Sequence, residues 1–95
     1  MTSSYTLSKR FRLGRLVITA DADMELHPLD VRNALARHAC GDWGEIDYEI
    51  FANNESALQK GGLLFSCYRD RYQSRFRIIT EPHHSQTTIL LPEEC

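Results

Sequence analysis

The sequence predicts an α+β fold of element order β-α-α-β-β-β, with two helices on one face of a four-stranded, mainly antiparallel sheet. Three observations lead there. Two consecutive segments repeat apolar residues at helical spacing, and each stops at glycine. Three short β-prone runs, parted by turn residues, follow them, and a fourth β-prone run precedes them.

In chain order, residues 1–10 are polar and aperiodic and read as a flexible N-terminal arm, leaving 11–95 as a single domain. The first strand is expected over 11–20, alternating at Phe11, Arg12 and Leu13 and then apolar on both faces at Leu16, Val17 and Ile18, with Gly14 marking a bulge or bend. His27-Pro28 opens the first helix, 28–40, because proline at the first helical position lacks only an N–H that the helix leaves unbonded anyway. Its inward positions are Val31, Ala34, Leu35, His38 and Ala39, and Gly41 ends it.

Asp47 is an N-cap for the second helix, 48–60, on which Ile50, Phe51, Asn54, Ala57 and Leu58 share one face. Asn54 is the polar exception there. A buried amide needs partners, and the 41–44 loop is the nearest expected source. Gly61-Gly62 stops the helix, and the strands are expected over 63–69, 75–80 and 87–91, joined by short turns as an antiparallel meander.

Ninety-five residues, 42% apolar and 25% charged, suit one hydrophobic core. No apolar run approaches the roughly 20 residues that cross a bilayer, and the first residues lack a basic segment followed by an apolar one, so a cytoplasmic location and no membrane partner are expected. Cys40, Cys67 and Cys95 form neither a disulfide framework nor a C-x-x-C pair and read as free thiols. The net charge of −2 hides a basic beginning, with Lys9, Arg10, Arg12 and Arg15, and an acidic middle that carries nine acids against three bases over 21–60. This polarity suits a protein partner better than nucleic acid, whose binders are usually strongly basic.

Several short motifs occur together: Arg37-His38, Gly41-Asp42-Trp43-Gly44, Ala52-Asn53-Asn54-Glu55, Ile78-Ile79-Thr80-Glu81 and Thr87-Thr88-Ile89-Leu90-Leu91-Pro92-Glu93-Glu94. Over about residues 11–94 the chain resembles a family of small proteins carried by plasmids, integrative elements and phages, some named after restriction–modification subunits. The resemblance implies an accessory role in a mobile element, and no catalytic residues. The chain departs from the family pattern at Cys95, where an aromatic residue is usual, and at the 81–86 turn, where His83-His84 makes it less acidic.

The candidate binding residues are Asp42, Trp43, Glu45, Arg69, Arg75 and Arg77. Two readings of Trp43 stand, a partner anchor or a plug between helices and sheet with its ring N–H bonded locally. Arg75 and Arg77 share a sheet face near Arg69 and Arg71, where they serve either as an anion site or as a solvated face paired to Asp70 and Glu81. Asp42, Glu45, Asp47 and Glu49 either favour the positive end of a helix or form an acidic ridge for a basic partner.

His83-His84 and His38 with Cys40 match no zinc spacing, and no phosphate loop, nucleophile elbow or cofactor motif is present in the sequence, so neither metal nor cofactor is expected. The leading expectation is a non-enzymatic protein-binding accessory of a mobile element, inhibiting a host defence system of the restriction or CRISPR type. Two alternatives remain. The element order resembles that of ribosome-dependent mRNA interferase toxins, with Arg69, Arg75 and Arg77 on the phosphate, and an exposed strand edge would make a self-associating module. Monomer and small homo-oligomer are both open.

Overall fold

The computed structural model describes residues 9–94. It is α+β, with β1 (Arg15–Ile18), α1 (Ala20–Glu25), α2 (Pro28–Ala39), α3 (Tyr48–Lys60), β2 (Leu64–Arg69), β3 (Arg75–Thr80) and β4 (Gln86–Leu90). The expected arm over 1–10 falls largely outside the described residues, as does Cys95. Arg10 belongs to the folded body, since its N–H donates to the Ala39 carbonyl (2.8 Å) and its guanidinium grips Glu55.

The strands lie in the order β1-β4-β3-β2. β2, β3 and β4 form the expected antiparallel meander, while β1 joins the sheet parallel to β4. The connection from β1 crosses over through the helices, as a parallel pair requires.

α1 is absent from the sequence-based expectation, which placed a strand over 11–20. Gly14 is where that strand is cut short. Its φ is +69°, and a Cβ there would sit 2.3 Å from the His84 carbonyl oxygen, so the chain bends tightly against the 84–85 turn before β1 begins. Phe11 and Leu13 consequently leave the sheet and pack with Trp43 and Leu64. At the other end Thr19 leaves the strand as an N-cap, its hydroxyl accepting from Ala22 N–H (3.2 Å), and Asp21 and Asp23 sit in the first turn where negative charge is favoured.

Alternate residues of β2 and β3 face the helices: Leu64, Ser66 and Tyr68, then Phe76, Ile78 and Thr80. The helix-facing side carries two apolar clusters. Ala22, Leu26, Val31, Ala34, Tyr68, Phe76, Ile78, Ile89 and Leu91 make the larger, with Leu35 against it, and Phe11, Trp43 and Leu64 make the smaller.

Between the two runs a line of fully buried polar side chains, and its hydrogen-bond directions are determined by proton counting. Thr87 Oγ1–H donates to the Leu13 carbonyl (2.6 Å), so toward Thr80 it accepts (2.7 Å). Thr80 has then given its only proton and accepts from His38 Nε2–H (2.8 Å). Because burial keeps the ring neutral at pH 7, Nδ1 is then an acceptor, and Ser66 Oγ–H donates to it. His38 thus ties α2 to β2 and β3.

α3 lies over the edge strand β2, and this changes two expectations. Asn54 bonds the strand and not the 41–44 loop: its amide donates to the Phe65 carbonyl (2.7 Å) and its oxygen accepts from Phe65 N–H (3.1 Å), as a neighbouring strand would. Phe51, expected inward, is 44% exposed because the helix overhangs the sheet.

Burial lowers the His38 pKa from 6.5 to about 4, because a charged ring would lose its water with only hydroxyls in return. Since the unfolded chain then binds the extra proton first, stability is complete above about pH 6.5 and falls as pH drops toward 4. The shift corresponds to about 3 kcal/mol. Urea unfolding at pH 7, 6, 5 and 4 is expected to show this loss, and His38→Gln, although less stable at pH 7, is expected to lack that slope.

Candidate binding site around the loop between the second and third helices

The candidate residues gather on one short loop and the strands beneath it. Gly41 ends α2 at φ +85°, and the Asp42 carboxylate turns back to take two bonds from Arg37 (2.8 and 3.2 Å) and one from Gly44 N–H (3.3 Å). These bonds, those of Arg37 foremost, hold the Asp42 pKa below the usual carboxylate range. Tyr68 anchors the loop from below, its hydroxyl donating to the Asp42 carbonyl (2.7 Å), and burial pushes that phenol well above its ordinary pKa.

Trp43 is 2% exposed, packed as the plug reading describes. Its ring stacks near Phe11 and meets His38 edge-on at 5.4 Å, while Nε1–H donates to Glu55 (3.1 Å), which also holds Arg10 in a bidentate pair. One carboxylate therefore fixes both the indole and the chain before β1. The Arg10 bonds keep that carboxylate's pKa low.

The loop then runs along β2 as a one-bridge strand. Cys67 N–H donates to the Trp43 carbonyl (3.1 Å) and Glu45 N–H to the Cys67 carbonyl (2.8 Å), in a parallel bridge centred on Gly44. Together with Asn54 it covers the outer edge of β2 at Phe65 and Cys67.

On one side of the loop is a groove of about 470 Å³ lined by Gly41, Asp42, Trp43, Gly44, Ile46, Asp47, Tyr48 and Phe51. Tyr48 is 81% exposed and stacks on Phe51 at 6.3 Å, so two aromatic rings stand in solvent at the start of α3. Asp47 caps that helix, accepting from Ile50 N–H (2.9 Å). Among the described residues Asp47 has no ion-pair partner, which leaves this side of the groove acidic.

On the other side Glu45 reaches the sheet. It pairs with Arg69 (3.0 Å) and, with Cys67, Arg75 and Arg77, lines a cleft of about 80 Å³. Arg77 lies over the Phe65 ring at 5.4 Å, and Arg75 stands opposite Arg69 across the β2–β3 pair. Burial raises the Cys67 thiol pKa, against the opposing effect of Arg77.

The expected pairing of this face to Asp70 and Glu81 is corrected. Arg69 uses Glu45, and Arg71 uses Asp30 in a bidentate pair (both 3.0 Å) that pulls the aspartate's pKa down to about 2. Asp70 instead receives three backbone N–H groups, from His27, Tyr72 and Ser74, and so ties the start of α2 to the β2–β3 turn.

His83 and His84 lie in the expected turn, as part of a 3-10 helix with φ of 65° and 57°, and no three His, Cys, Asp or Glu side chains converge among the described residues. Tyr48 is the site residue that the sequence reading overlooked. Its signal was the i, i+3 aromatic pair with Phe51 immediately after an N-cap.

With the geometry in place, comparison of the chain with protein-family models, with curated proteins and with solved structures finds no match.

Gly44 is the hinge on which both clefts depend. At φ +73° a Cβ would fall 2.0 Å from the Cys67 carbonyl oxygen and 2.7 Å from the Tyr68 ring, whereas at Gly61 (φ +72°) the nearest atom is 3.5 Å away. Gly61→Ala is expected to cost about 1 kcal/mol in backbone strain alone, and Gly44→Ala at least about 2 kcal/mol more, because strand or loop must move. Thermal unfolding of the two variants side by side checks the ranking.

Proposed function

We propose that the protein is a non-enzymatic binding module whose groove over 41–51 takes a basic segment of a protein partner. The observation that carries this reading is the stacked Tyr48–Phe51 pair, open to solvent in a groove that Asp47 also lines. A lysine or arginine side chain laid there meets aromatic faces and carboxylates at once, and guanidinium groups favour such faces. Exposed aromatic residues beside a pocket are the usual anchors of an interface, and the acidic rim supplies charge complementarity. The resemblance to mobile-element proteins supports placing the partner in a host defence system, with this protein as its inhibitor.

The competing ribonuclease reading draws on the arginine face, where Glu45 lies beside Arg69, Arg75 and Arg77. The paired state of Arg69 and the net charge of −2 weigh toward the protein-binding reading.

An octa-arginine peptide titrated into ¹⁵N-labelled protein is the test, with octa-glutamate as control. Shifts grouped at residues 41–51, lost in Tyr48→Ala/Phe51→Ala, are expected with the basic peptide alone. Shifts scattered over every acidic patch, or equal responses to both peptides, would overturn the proposal.

A further inference from the structure

The two edges of the sheet are treated differently. On β2 the outward backbone groups of Phe65 and Cys67 are bonded by Asn54 and by the 43–45 loop. β1 is the other terminal strand, and among the described residues nothing pairs with its outer side. Arg15 N–H donates to the Ser85 carbonyl (3.1 Å) and Thr19 N–H to the Ile89 carbonyl (3.0 Å), so the odd-numbered residues turn their backbone groups toward β4. Leu16 and Ile18 therefore present theirs outward, by the alternation of a strand.

Natural edge strands are usually blunted by charge or proline. Here the two outward-bonding residues are apolar, share one face of the sheet, and are 54% and 37% exposed. The charges sit at the ends instead. Arg12 and Arg15 precede or begin the strand, and Asp21, Asp23 and Glu25 follow it on α1; all five are exposed, and none has an ion-pair partner among the described residues.

A strand that is basic at its start, apolar in its middle and acidic beyond its end is complementary to itself in the antiparallel sense. We propose that a second copy of this chain pairs with β1 about a two-fold axis at Val17, joining two sheets into one of eight strands. Leu16 then faces the partner's Ile18, and Ile18 the partner's Leu16. Each of these pairs exchanges two backbone hydrogen bonds and packs side chain on side chain.

The same symmetry brings the Arg12–Arg15 end beside the acidic helix of the other copy, twice per dimer. Parallel pairing would instead set like charges together. This surface is separate from the groove over 41–51, so the dimer and the binding reading stand or fall independently.

Sedimentation equilibrium from about 5 to 500 µM in low salt is the test. A monomer–dimer equilibrium is expected, weakening as salt rises, because the end charges are exposed. Ile18→Pro removes an outward N–H without taking a bond from β4 and is expected to be monomeric with an unchanged circular dichroism spectrum. Arg15→Glu is expected to weaken the dimer about tenfold, since the symmetry doubles each reversed contact, and adding Asp21→Arg is expected to restore it. The charge pair of variants decides the matter should the proline variant unfold. A monomer at every concentration, or a dimer indifferent to Arg15→Glu, would overturn the inference.

Discussion

His38 is the residue on which the arrangement turns. Its ring is the only group in the buried line that bonds two strands at once, to Ser66 on β2 and Thr80 on β3, and through Thr80 and Thr87 the line reaches the Leu13 carbonyl ahead of β1. Four side chains with no exposure to solvent thus join the helix layer, three strands and the chain's incoming segment. Such a chain stabilises only when complete, because a buried donor or acceptor without its partner costs about 1–3 kcal/mol. A hydrophobic core alone would tolerate slippage of α2 along the sheet, whereas these directed bonds fix its position.

The loop that forms the candidate site inherits that position. Phe11 and Trp43 both set ring contacts against His38, and Trp43 in turn fixes where Gly44 meets Cys67. With the loop seated there, one sheet edge is covered and an acidic, aromatic groove opens beside the start of α3. The β1 edge, with nothing paired to its outer side among the described residues, lies at the opposite end of the sheet. The proposed binding groove and the proposed pairing edge thereby lie at different borders of one small sheet.

Much of this was legible in the sequence, and what was not has physical reasons. The two long helices, the three-strand meander, the Asp47 cap and the stops at Gly41 and Gly61-Gly62 are local signals, and local signals appear in a single chain. Gly14 signalled a bend, but not that Phe11 and Leu13 would leave the sheet, which depends on the distant 84–85 turn. α1 was hidden because six residues with a single buried alanine carry almost no periodicity; its signal was the Thr19 cap followed by acids. Asn54 was identified as a buried amide needing partners, yet its partner on Phe65 depends on strand order, and so does the exposure of Phe51. Among the site residues, sequence spacing grouped Asp42, Trp43 and Glu45, while the Glu45–Arg69 pair arises from a 24-residue separation that only the loop's bridge to β2 closes.

The central claim is the protonation state of one imidazole. A long-range ¹H–¹⁵N correlation spectrum of the histidine side chains reads it directly, with His27, His83 and His84 as internal comparisons. At pH 7 His38 should show a proton on Nε2 and a bare Nδ1, and the pattern should persist to about pH 5. A proton on Nδ1 at neutral pH, or a midpoint near 6.5, would contradict the hydrogen-bond order on which the account stands.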